Sequence, residues 1–142
     1  MFCSSLFKFL HKGFSLASFN AGDCEEAGFS RLTLVVNADD AGLAQCLRQL
    51  EKLIDVVEVD DVKADAGVNR ELALVRVQPL AEDREKVQGI VGEFSAKTPH
   101  VSGDGTIVEL SASVGDIERL IAALTPHNIV EIVRTGAVAM RA

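Results

Sequence analysis

Two amphipathic stripes separated by a hairpin signal constrain this chain more than any other feature. Val87, Ile90, Val91 and Phe94, and later Ile117, Leu120, Ile121 and Leu124, fall three and four residues apart, the spacing of one buried helix face. Glu82 and Asp83 open the first stripe. Ser113 and Asp116, three residues apart ahead of the second, form an N-capping pair, and Pro126 stops that helix. Extended runs surround the stripes. Residues 71–77 alternate as a strand does and end before Pro79, and 129–133 form the last clear strand, continuing toward Met140. Between the stripes, 99–102 and 106–110 flank Gly103-Asp104-Gly105, turn chemistry that predicts a hairpin.

Residues 71–140 therefore spell β-α-β-β-α-β, the ferredoxin-like order in which two helices cover one face of a four-stranded antiparallel sheet. Read in the same register, residues 1–62 give a helix over about 2–11, strands over 15–20 and 31–36, a helix over 42–54 and a strand over 56–61. The 42–54 helix carries Leu43, Cys46, Leu47, Leu50, Leu53 and Ile54 as its buried stripe, with Asp39 and Asp40 as N-cap candidates. Only the opening strand is missing from this first unit, because Met1 falls about where the first helix starts. The predicted fold class is α+β, with two ferredoxin-like (βαββαβ) units in tandem: an N-terminal domain over 1–62, a small polar linker over 63–70 and a C-terminal domain over 71–142.

Composition narrows the function. Of 142 residues, 48% are hydrophobic, ample for a packed core. Net charge is −7, with no Trp or Tyr, which argues against nucleic acid, whose binding needs basic surface and aromatic platforms. The N-terminal stretch, apolar and without an acidic residue before Asp23, is interrupted by Lys8 and Lys12. It does not follow the order of a secretory signal, whereas its composition is compatible with an organellar transit segment. No stretch approaches the roughly 20 apolar residues that span a bilayer, so no membrane partner is expected. The three cysteines, Cys3, Cys24 and Cys46, are widely spaced with no CxxC pair and read as buried structural residues in a reducing compartment.

No catalytic constellation emerges. Asp39-Asp40, Asp60-Asp61, Glu25-Glu26 and Asp83 with Glu85 sit at helix starts or strand ends, where solvated caps and turns account for them. His11, His100 and His127 each lack a second ligand at metal spacing. No GxSxG occurs, and Gly103-Asp104-Gly105 lacks the third glycine and following helix of a pyrophosphate cradle. The expectation is a binding or regulatory protein with no metal and no catalytic residue.

Three stretches then carry a resemblance. Gln49-Leu50-Glu51-Lys52-Leu53-Ile54-Asp55-Val56-Val57-Glu58-Val59, Asn69-Arg70-Glu71-Leu72-Ala73-Leu74-Val75-Arg76-Val77 and Glu131-Ile132-Val133-Arg134-Thr135-Gly136 resemble signature segments of the acetolactate synthase (acetohydroxyacid synthase) small regulatory subunit. They stand in the order and spacing of that ACT-domain family. Residues 12–19 and 30–36 resemble its second and third strands, so the resemblance runs from about Lys12 onward.

The resemblance implies a non-catalytic subunit that activates a separate catalytic (large) subunit and confers feedback by valine or another branched-chain amino acid. Thiamine diphosphate, Mg and FAD are expected on the catalytic subunit, with no cofactor in this chain. It further implies a homodimer with the effector between paired ACT domains, and a cytoplasmic location, or a plastid one in a plant or alga. Carried onto this sequence, the effector-binding positions are Gly13, Ser15 and Leu16. Two departures predict a weak or lost valine response. The opening strand with its Gly-containing turn is absent, and Ser15 stands where the family has Asn, a shorter side chain without a two-armed amide. The alternative reading is a stand-alone ACT-type small-molecule sensor without a synthase partner.

Overall fold

The computed structural model describes residues 15–62, 67–103 and 105–142. They fall into two compact units, one running to Val68 and including Ala139–Ala142, the other spanning Asn69–Val138. The helix expected over 2–11 lies outside the described residues, as do 63–66 of the expected linker.

In the first unit, β1 (Ser15–Asp23) pairs antiparallel with β2 (Ser30–Asn37), from Ser15 opposite Asn37 to Asp23 opposite Ser30. Gly28 supplies the positive φ of +89° in the connecting turn, a conformation only glycine adopts readily. Helix α1 (Asp40–Leu50) starts where Asp39 accepts a 2.8 Å hydrogen bond from the Gly42 N–H, satisfying an orphan donor of the first turn. Its stripe buries Cys46 and Leu50 against Leu34, Val36, Leu53 and Val59.

Two expectations fail here. The helix ends at Leu50 rather than at 54, so Ile54 leaves the stripe and stands 98% exposed. The strand expected over 56–61 joins no ladder, although Val59 packs on the core and Asp60 pairs with Arg141 at 2.8 Å. The physical reason is pairing: a strand persists through its neighbour. In the second unit the last strand bonds to the first, and the described residues of the first unit hold no strand in that position.

The second unit realises the full order. Strand β3 (Gly67–Val77) is followed by a 3-10 turn over Ala81–Asp83, α2 (Arg84–Glu93), β4 (Lys97–Ser102), β5 (Gly105–Ala112), α3 (Val114–Leu124), a second 3-10 turn over Thr125–His127, and β6 (Ile129–Arg134). The sheet runs β4-β5-β3-β6, with all three of these pairings antiparallel. This is the ferredoxin-like arrangement, with the first strand central. Ala73, Val75 and Val77 alternate toward the helices and meet Val87, Val108, Leu110, Ile117, Leu120 and Leu124 in one buried cluster, as period-two strands and period-3.6 helices require.

Local devices hold the joints. Ser113 accepts from the Asp116 N–H at 3.2 Å and donates to its carboxylate at 2.8 Å. After Pro126, Asn128 turns left-handed at φ 61°. There it exchanges hydrogen bonds with Gln78, whose N–H donates to the Asn128 carbonyl at 2.9 Å and whose carbonyl accepts from the Asn128 amide at 3.2 Å.

Residues 67–70, expected as linker, belong to β3 instead. The reason is β7 (Val138–Arg141), which also pairs with β3. There the Gly67 backbone lies so near the Met140 carbonyl that a Cβ has no room. Among the described residues, no helix is long and apolar enough to cross a membrane.

Candidate functional site

The expected effector-binding positions sit at the start of β1. Gly13 lies outside the described residues. Ser15 is exposed and faces Asn37 across the ladder, and half-buried Leu16 faces Val36, just before a register irregularity between Leu16 and Ser18. Two residues beyond Asn37, Asp39 caps α1.

A more completely built feature lies in the second unit, and sequence reasoning missed it. Glu71 is in phase with Ala73, Val75 and Val77 on the helix-facing side of β3 and is only 4% exposed. A buried carboxylate needs partners. Arg134, at the end of β6, supplies two parallel bonds of 2.8 Å, from Nε to Oε1 and from a terminal nitrogen to Oε2. Its other terminal nitrogen reaches Glu118 of α3 at 2.6 Å. The bidentate fork suits guanidinium and carboxylate geometry.

The Arg134 bond, with help from the Gly136 N–H, holds the Glu71 carboxyl below its ordinary pKa against the opposing effect of burial. Glu71 and Glu118 together raise that of the guanidinium. Next to this pair, Thr135 is tied to Leu72: its N–H donates to the Leu72 carbonyl at 3.0 Å, and its hydroxyl accepts from the Leu72 N–H at 3.1 Å. Gly136 makes the turn at φ +80°. The signal was available in the sequence: a Glu on the apolar phase of a strand calls for a distant cation.

Several other carboxylates are occupied by local structure. Asp83 pairs with Lys86 at 2.6 Å, Asp116 with Arg119, and Glu25 with Arg31 at 3.1 Å. Lys86 holds Asp83 below the ordinary carboxylate range, and Arg119, followed by Ser113, does the same for Asp116. Among the described residues, no three His, Cys, Asp or Glu side chains are placed to hold a metal. His127 is nearly buried, its Nδ1 unbonded and 3.7 Å from Asp83. Cys46 is buried, which pushes its thiol pKa up. Cys24 is half-buried in the β1–β2 turn rather than in a core, its thiol 3.6 Å from the Glu26 carbonyl.

Both halves of the clasp, Glu71-Leu72 and Arg134-Thr135-Gly136, lie in the region 70–142, which matches the model for the small subunit of acetolactate synthase. Residues 8–58 match the ACT domain of the acetohydroxyacid synthase small subunit type. The chain belongs to the acetolactate synthase small subunit family.

Its relatives agree over nearly the whole length. The chain is 36% identical over 137 residues to the acetolactate synthase small subunit of Mycolicibacterium smegmatis, covering 96% of this chain and 79% of that one. It is 37% identical over 132 residues to the Bacillus subtilis small subunit, covering 92% and 77%. To a probable small subunit of Archaeoglobus fulgidus it is 34% identical over 132 residues, covering 93% and 82%. The crystal structure of the Thermotoga maritima small subunit superposes with a TM-score of 0.87 at 34% identity, over 99% of this chain and 90% of that one. Relatives of this family are small subunits and not catalytic ones, and the chain is a non-catalytic regulatory protein of the same kind. Tandem ferredoxin-like units are the fold of this chain.

Proposed function

We propose that this small subunit activates a thiamine-diphosphate-dependent acetolactate synthase catalytic subunit in the cytoplasm, with thiamine diphosphate, Mg and FAD held by that partner. The observation that carries the reading is family membership across both units, residues 8–58 and 70–142. The test is reconstitution: the full chain is mixed with the catalytic subunit from the same source and acetolactate formation is followed. A rate that rises and saturates with small subunit is expected, and an unchanged rate at every ratio overturns the reading.

Feedback is the second part of the proposal. Ser15 offers one short hydroxyl where the family's Asn offers an amide, so valine inhibition of the reconstituted enzyme is weak or absent, and Ser15→Asn strengthens it. Tight valine binding by the unsubstituted chain in calorimetry contradicts this part alone.

The small subunit also pairs with a second copy along β6. That edge exposes Val130 at 53%, Ile132 at 40% and Val133 at 53%, and its Arg134 is engaged inside the unit by Glu71. The opposite edge, β4, carries Lys97 and Pro99, residues that discourage strand addition. Ile132→Lys is expected to shift the sedimenting mass toward monomer, and a monomeric unsubstituted chain at micromolar concentration excludes this pairing.

A further inference from the structure

The sheet of the second unit has a face turned away from its two helices, and the strand register lines up an unusual row on it. His100 of β4 sits beside Ile107 of β5, Ile107 beside Arg76 of β3, and Arg76 beside Glu131 of β6. Arg76 lies on this face because it alternates with Val75 and Val77, which point to the core. At the end of the row, where the hairpin turns, Arg76, His100, Ser102, Gly105 and Ile107 line a depression of about 240 Å³.

Gly105, part of the lining, has φ +143°, and a Cβ there would lie 2.7 Å from the Val77 carbonyl oxygen, so the hairpin backbone calls for a glycine at this position.

The lining is chemically directed. Arg76 brings a planar fork of donors and His100 an imidazole, beside the aliphatic Ile107, while the Ser102 hydroxyl is occupied by the Gly105 carbonyl at 3.4 Å. Among the described residues Arg76 pairs with the Glu131 carboxylate at 3.5 Å, and the two side chains are 50% and 55% exposed. Exposed pairs at such separation are weak, so Arg76 can exchange Glu131 for a better acceptor. In the next row Glu109 stands opposite Lys97 across the ladder.

We propose that this depression binds a small oxyanion, a carboxylate or a phosphate, held by the Arg76 fork and the His100 imidazole over Gly105. The site is independent of the hairpin carrying Ser15, so its failure leaves the reading of this chain as a regulatory subunit untouched.

The test titrates the full chain with inorganic phosphate and, separately, with isobutyrate, reading the His100 imidazole resonances by NMR. Saturable shifts are expected with at least one of the two. Phosphate alone assigns the site to phosphate-bearing ligands, and isobutyrate alone to aliphatic carboxylates. Arg76→Gln is expected to weaken binding about tenfold, the loss of a charge-assisted contact, and Glu131→Gln to strengthen it by freeing the guanidinium. Arg76 is half exposed, so its substitution leaves the fold intact. No shift with either anion, or shifts that persist unchanged in Arg76→Gln, overturns the proposal.

Discussion

Replacing Arg134 with Met isolates the contribution of the clasp between β3 and β6. The substitution keeps an unbranched stem of similar reach but removes both 2.8 Å bonds to Glu71 and the 2.6 Å bond to Glu118. Glu71, 4% exposed, is left with the Gly136 N–H. Removing one partner of a buried ion pair destabilises by about 3–5 kcal/mol. Arg134 is itself 31% exposed, so water compensates in part and the lower end, about 3 kcal/mol, is expected. For a unit of this size, that corresponds to a fall in Tm of roughly 12–24 °C.

Urea unfolding of the full chain by circular dichroism gives the magnitude, and amide exchange at Val75 assigns the loss to this unit. pH supplies an independent check. The folded-state pKa of Glu71 lies below its ordinary value of 4.5, so its contribution is present above that value and is lost as pH falls through the folded pKa. In Arg134→Met the desolvated carboxyl instead prefers its proton, and the gap between variant and unsubstituted chain narrows toward pH 3. Removing both charges, as Glu71→Met with Arg134→Met, should recover much of the loss because no buried charge remains. A single variant within 1 kcal/mol of the unsubstituted chain at pH 7, or a double variant as unstable as the single, refutes this account; the first threshold is about a third of the expected loss.

Three further outcomes follow from packing and backbone. Leu120→Ala, at a fully buried position in the second core, should lower stability by about 2–5 kcal/mol in urea titration. Ser113→Ala removes the cap of α3 and its bond to Asp116, for a loss of about 1 kcal/mol that Ser113→Thr largely restores. Gly105→Ala places a Cβ 2.7 Å from the Val77 carbonyl at φ +143° and should destabilise by about 1–3 kcal/mol, with chemical-shift changes centred on the β4–β5 turn.

What was legible in the sequence divides along the distance between interacting residues. The stripes 87–94 and 117–124, the Ser113 cap, the stop at Pro126 and the turn before Gly105 are each decided within a few residues, and each stands in the structure where local chemistry places it. The first-unit errors have the opposite character. Residues 56–61 have strand composition, but β-propensity describes fitness for a ladder and cannot supply the partner. Ile54 continues an i, i+4 pattern past Leu50, yet helix length is set by what the last turn packs against. Residues 67–70 read as linker because the strand that pairs there, β7, lies about seventy positions later.

The Glu71–Arg134 pair has the same origin, with 63 residues between its members. Two of the three stretches that carry the family resemblance meet at this pair. Asn69–Val77 and Glu131–Gly136 are the two strands that must meet in one register for the carboxylate, the Thr135 clasp and the Gly136 turn to be satisfied together. A one-residue slip of β6 would turn Arg134 to the opposite face and leave Glu71 buried without its cation. The ion pair thus specifies the alignment of β6 on β3, and with it the placement of Arg76 beside Glu131 on the far face of the same sheet.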